Sequence, residues 1–192
     1  MKSFAMAAAA ALTLTAGTAL AAPEKYTLDA SHSQVLFTYN HLGYSTTYNI
    51  FSGFDGEIMF DQEDPANSSV NVSIPVMSLF TGWEERFKHL MSDDFFGASE
   101  GDLITFTSTG IEVTGDETAK ITGDLTINGE TKSVTLDASL NKSAEHPMSG
   151  KMTAGFDATT TINRSDYGLG KFAPPVSDEL EVMISIEAQK AE

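Results

Sequence analysis

Catalysis needs a nucleophile, a proton carrier or a ligand set at workable spacing, and this sequence offers few. Cysteine is absent, so there is no thiol nucleophile. No Gly-x-Ser-x-Gly elbow, phosphate-binding glycine loop or His-Glu-x-x-His helix occurs. The histidines are His32, His41, His89 and His146. In an unbroken strand His32 and His41 have opposite parity and face opposite sides, so they do not jointly grip a metal, and no metal site is expected. Asp61, Glu63 and Asp64, and separately Asp93 with Asp94, lack the ligand spacing of a calcium loop and read as solvated turns and a helix end. Arg164, Asp166 and Tyr167 lie in Ile162-Asn163-Arg164-Ser165-Asp166-Tyr167-Gly168, where a half-buried arginine needs a carboxylate partner. The reading is an Arg164–Asp166 lock at a strand end, with a ligand-headgroup contact as the alternative.

The elements that position these residues are mostly strands. Val35, Phe37, Tyr39 and His41 alternate with Gln34, Thr38 and Asn40, the period-two pattern of a half-buried strand. The pattern recurs at Ile58 and Phe60, at Val70, Val72 and Ile74, and at Ile104 and Phe106. It returns at Ile121, Leu125 and Ile127, at Val134, Leu136, Ala138 and Leu140, and at Val182, Ile184 and Ile186. Turn signals separate the segments, the clearest being Asn128-Gly129 between two alternating runs, which predicts a tight hairpin. One segment departs from the pattern. Thr81 and Glu84 fit a capping box, and Trp83, Phe87, Leu90 and Met91 then share one face, which predicts a single short helix near residues 82–91. About eight strands and one helix imply an all-β antiparallel sheet closed into a barrel or folded as a sandwich. A barrel of that size can hold one small ligand inside.

Residues 1–21 read as a cleaved secretory signal peptide. Lys2 precedes an apolar, alanine-rich stretch over residues 4–20, and Ala19-Leu20-Ala21 supplies the small residues of a cleavage site. Residues 22–192 then form one domain, of a size that buries a substantial core. No cysteine near the cleavage site is present to take a lipid anchor. The formal net charge of the whole chain is −16, and loss of Lys2 makes the mature protein more acidic still. Nucleic acids and anionic lipid headgroups are bound through clustered Lys and Arg, so this surface fits neither.

His32-Ser33-Gln34-Val35-Leu36-Phe37, followed by Phe51-Ser52-Gly53-Phe54-Asp55-Gly56, resembles the opening of the YceI-like family. The resemblance continues through Arg86-Phe87-Lys88-His89-Leu90, Gly123-Asp124-Leu125-Thr126-Ile127-Asn128-Gly129, Gly155-Phe156-Asp157-Ala158 and Asn163-Arg164-Ser165-Asp166-Tyr167-Gly168, across nearly all of residues 22–192. Phe87 stands where the family's helix motif often has an acidic residue, and Asp102 where a proline usually precedes the next strand. The resemblance implies a single extended, lipocalin-like antiparallel barrel, periplasmic in Gram-negative bacteria. It implies a carrier of a long apolar molecule such as a polyisoprenoid, an isoprenoid quinone or a fatty-acid derivative, with no cofactor beyond that ligand.

Strand parity makes Val35, Phe37, Tyr39, Ile58, Phe60, Ile104, Phe106, Leu125, Ile127, Phe156 and Ile162 candidates to face inward, with Phe54 nearby. The same residues would fill an ordinary core, and the resemblance favours a ligand tunnel. Arg86, His89, Arg164 and Asp166 are the candidates to meet a headgroup at its mouth. The expected protein is a non-enzymatic, periplasmic binder that contacts membranes transiently and is a monomer or loose homodimer. The competing readings are an enzyme using His32 or His89 on the same molecules, and a structural or stress-related module with a filled barrel.

Overall fold

The computed structural model describes residues 22–192, so the expected signal peptide lies outside the described residues. The strands are β1 (Glu24–Leu28), β2 (Gln34–His41), β3 (Ser45–Phe51), β4 (Asp55–Phe60), β5 (Ser69–Pro75), β6 (Leu103–Gly115), β7 (Thr118–Ile127), β8 (Glu130–Glu145), β9 (Met152–Asn163) and β10 (Glu179–Lys190). One α-helix, α1 (Glu84–Met91), separates β5 from β6. Every pairing is antiparallel, and β1 closes the sheet by pairing with both β4 and β10. Strands β1 and β2 lie end to end along the same edge of β10, through Leu28 opposite Ala188 and Val35 opposite Ile184. Strands β4 and β3 flank them in the same way. Counting each broken pair as one strand gives a closed eight-stranded barrel, the one of the two closures allowed by the alternation that the family resemblance implies.

Local chemistry accounts for the joins. Asn128 and Gly129 have φ of 52° and 79°, the left-handed pair a two-residue hairpin requires, and Ile127 lies opposite Glu130. Gly123 on β7 has a different duty. A Cβ there would sit 2.4 Å from Cζ of Phe106, so only glycine lets the Phe106 ring lie across its neighbour strand.

On α1 the expectation was partly wrong. The N-cap is Trp83, with no side-chain cap, and Trp83 is 60% exposed rather than packed. Gly82, at φ 76°, turns the chain and leaves Thr81 two residues before the N-cap. The Thr81 hydroxyl instead accepts from Trp83 N at 3.3 Å and donates to Trp83 O at 2.7 Å. Phe87, Leu90 and Met91 pack against the core as their spacing predicts. With Val76, Leu79, Phe95 and Phe96, also packed there, this segment covers the end of the barrel beside β3, whose outer edge pairs, among the described residues, only with Phe80.

Candidate functional site

Inside the ring runs a cavity of about 350 Å³. Val35, Phe37, Tyr39, Phe54, Ile58, Phe60, Ile104, Phe106, Leu125, Ile127, Phe156 and Ile162 all line it, as does Arg164. Arg86, His89 and Asp166 do not. Further wall comes from Val70, Val72 and Ile74 on β5, Leu136, Ala138 and Leu140 on β8, and Leu180, Val182, Ile184 and Ile186 on β10. Their alternation marked most of them as buried strand positions without singling them out as ligand contacts. Ile111 and Val113 break the parity set by Ile104 and Phe106. A register shift between Ser108 and Gly110 turns odd-numbered residues inward, opposite Ile121 and Ala119.

The wall is uneven in packing. Around β2–β4 aromatic rings fill the interior: Phe37 stacks on Phe51 at 5.6 Å, Tyr26 meets Phe60 edge-on at 5.7 Å, and Phe60 meets Phe156 at 5.4 Å. Around β6–β9 the inward residues Phe106, Ile111, Ile121, Leu136 and Phe156 stay only half-buried because they face open space. An apolar void of this kind has low affinity for water and a high one for hydrocarbon.

The two ends differ. All the exposed lining residues lie at one end: Gln62, Val113 at 47%, residues 115–118 of the β6–β7 hairpin, and Asp157, which pairs with Ser139, itself opposite Thr118. Asp116, Glu117 and Asp157 make that end acidic. The opposite end is shut by Leu90, Phe95 and Phe96 beside α1 and by Tyr167 and Leu169, both buried.

Arg164 stands at this closed end and is only 6% exposed. Its expected lock to Asp166 is absent. The 3-10 turn over Arg164–Tyr167 leaves Asp166 exposed, while the chain that follows wraps its carbonyls around the guanidinium. Nε donates to Ser177 O at 2.9 Å, one terminal nitrogen to Lys171 O at 2.8 Å and to Leu169 O, and the other to Val176 O at 2.8 Å. Asp178 binds Ser165 instead, through N at 2.9 Å and Oγ at 2.6 Å. Burial draws the Arg164 pKa below its ordinary value, against the opposing pull of Asp178 and Tyr39. A guanidinium nevertheless stays protonated at neutral pH.

The other mouth candidates brace α1. Arg86 donates to Thr81 O at 2.9 Å and lies 6.0 Å from the Trp83 ring centre. His89 Nε2 is 3.2 Å from Asp94 Oδ2, and Asp94 also holds Lys171. Lys171 first, then His89, keeps the Asp94 carboxyl below its ordinary pKa. Outside the cavity, His32 lies in the bend before β2, not in an unbroken strand, and its Nδ1 is 2.9 Å from Asp29 Oδ2. Their ligand atoms and that of Glu187 fall within 4.8 Å of one another. Hydrogen bonds from Ser31 and His32 hold Asp29 down at about 2, and Asp29, then Glu187, raises His32. Asp61, expected in a solvated turn, is buried and accepts from Glu63 N at 3.0 Å and Asp64 N at 2.9 Å, shaping the turn.

A profile of the YceI-like domain matches residues 26–188. Protein YceI of Escherichia coli is 43% identical over 178 residues, covering 93% of this chain and 92% of that one. The crystal structure of Burkholderia cenocepacia BcnA superposes with a TM-score of 0.75 at 25% identity, covering 83% of this chain and 98% of BcnA. A domain from Saccharophagus degradans, described as polyisoprenoid-binding and implicated in plant cell wall breakdown, gives a TM-score of 0.67 over 86% of this chain and 98% of its own. Its 16% identity makes that likeness one of fold.

Proposed function

The chain belongs to the YceI-like family, and from that membership and its cavity we propose that the protein binds one long apolar molecule inside its barrel and carries or sequesters it. The ligand class is a polyisoprenoid, an isoprenoid quinone or a fatty-acid derivative. The single observation behind the reading is the continuous void walled by Val, Leu, Ile and Phe from the β6–β7 hairpin to α1. The N-terminal stretch of residues 1–21, with its Ala19-Leu20-Ala21 ending, supports action outside the cytoplasm, in the periplasm.

The energetics suit a carrier. Each methylene taken from water contributes about 0.8 kcal/mol. A ligand this apolar waits in a membrane rather than in water, and the membrane interior is about as apolar as the barrel wall. Net transfer free energy is therefore small, and binding is reversible in both directions. The experiment is to express the chain with its own leader, purify it from the periplasmic fraction, extract it with organic solvent and analyse the extract by mass spectrometry. A long-chain isoprenoid or acyl compound recovered in near-stoichiometric amount is expected. An extract indistinguishable from that of a control periplasmic protein would overturn the reading.

A further inference from the structure

We propose that the ligand lies head-inward: an oxygen-bearing, anionic head docks against Arg164 at the closed end of the barrel, and the tail points to the acidic mouth. The proposal rests on the carrier reading and adds the polarity of the molecule carried and its direction. It would make the cargo an amphiphile, not a plain hydrocarbon.

Three observations carry it. Arg164 lines the cavity, is 6% exposed, and has only backbone carbonyls as hydrogen-bond acceptors, so a formal positive charge sits at the end of an apolar cavity with no carboxylate hydrogen-bonded to it, Asp178 acting on it only through space. A guanidinium has five N–H donors, and the contacts to Ser177, Leu169, Lys171 and Val176 occupy four of them. One N–H on the nitrogen that binds Val176 remains to donate. A charge-assisted hydrogen bond from it to a carboxylate or phosphate oxygen is stronger than a neutral one and would offset part of the burial of the charge. Tyr39 and Tyr167 line the same end, so aromatic, polar-tipped walls surround the place where the head would sit.

The third observation is the opposite end. Asp116, Glu117 and Asp157 at the mouth repel an anionic head left there, while the Arg164 charge attracts it inward through a low-dielectric channel. Both ends of the cavity therefore bias an anionic amphiphile in the same direction. A cationic amphiphile experiences the reverse bias and belongs with its head at the mouth.

The test uses the delipidated wild-type protein and stearic acids carrying a nitroxide either near the carboxylate or near the methyl end. A third probe is an alkylammonium of equal length, labelled near its head. Electron paramagnetic resonance then reports how far a neutral, water-soluble nickel chelate reaches each bound nitroxide. The carboxylate-end label is expected to be at least about fivefold less accessible than the methyl-end label, and the ammonium-head label is expected to be accessible. If the methyl-end label is the shielded one, if the two stearic acids are equally shielded, or if the ammonium head is buried like the carboxylate, the head-inward proposal is overturned while the carrier reading stands. If no probe is immobilised at all, both fall together.

Discussion

Truncating Phe106 and truncating Phe37 to alanine should have very different effects on the empty protein, although both are inward-facing phenylalanines of the same barrel. Phe37 is buried and stacked on Phe51 at 5.6 Å, so its removal leaves a new void in a packed region. Phe→Ala changes of that kind cost about 3–5 kcal/mol. Phe106 is only half-buried, has Gly123 under its ring, and faces the existing cavity. One side of that ring has no packed neighbours to lose, so Phe106→Ala should cost about 1–2 kcal/mol, toward the bottom of the range for large-to-small changes. For a domain of this size each kcal/mol shifts Tm by about 2–4 °C. The expected drops are therefore about 2–8 °C for Phe106→Ala and about 6–20 °C for Phe37→Ala, read by circular dichroism on delipidated protein. On loading with an isoprenoid the order of effects changes. Ligand stabilises wild type through preferential binding to the folded state, and Phe106→Ala should lose much of that gain because its wall contact is gone. Equal Tm losses for the two truncations in the empty protein would refute the reasoning, since they would mean that Phe106 is packed as tightly as Phe37.

Other substitutions separate a hollow barrel from a filled one and locate the polar supports. Val35→Trp projects into the cavity and should abolish the ligand-induced rise in Tm while changing the empty protein's Tm by less than the cost of overpacking a filled core, about 1–3 kcal/mol. A thermal shift on loading equal to wild type would contradict it. Arg164→Met removes the donor shared by four carbonyls and should destabilise by about 3–5 kcal/mol, whereas Asp166→Ala, at an exposed residue, should stay within about 0.5 kcal/mol. Chemical denaturation measures both, and comparable losses would restore the Arg164–Asp166 lock. Asp29 is held at about 2, below its ordinary value, so its contribution is present above the ordinary carboxylate range and is lost as pH falls through about 2. The raised His32 contributes below its ordinary pKa, and that part is lost as pH rises through its elevated value. The Tm gap between wild type and Asp29→Asn, about 1–3 °C from a surface pair, should thus be widest in mildly acidic solution and close toward pH 2. A gap constant across that range would contradict it.

Period-two alternation carries the antiparallel strands, because one buried face per strand imposes it, but it fits a sandwich as well as a barrel and only the family resemblance points to closure; Asn128-Gly129 marks its hairpin by backbone conformation alone. The inward positions on β2, β4 and the first half of β6 followed from the same parity. Past Ser108 parity failed, since a bulge adds a residue without a signature in side-chain type, and so Ile111 and Val113 were not singled out. Arg164 was marked as needing a partner, but its partners are backbone carbonyls of residues 169–177, which no side-chain pattern encodes. The mouth has no sequence signature for a related reason: Asp116 and Glu117 look like any solvated turn until the long β6–β7 hairpin brings them to the cavity's rim. Arg86, His89 and Asp166 carry the right chemistry for a headgroup, but the fold turns the first two to bracing α1 and the third to solvent.

The central claim is that the barrel holds one long apolar molecule. Native mass spectrometry of the intact protein, isolated from the periplasm without detergent, tests it most directly. The expected spectrum shows the polypeptide spanning residues 22–192 plus a single adduct with the mass of a long-chain lipid, released as the collision energy is raised. A spectrum of bare polypeptide at every collision energy, from protein still folded and still able to take up no added isoprenoid, would contradict it.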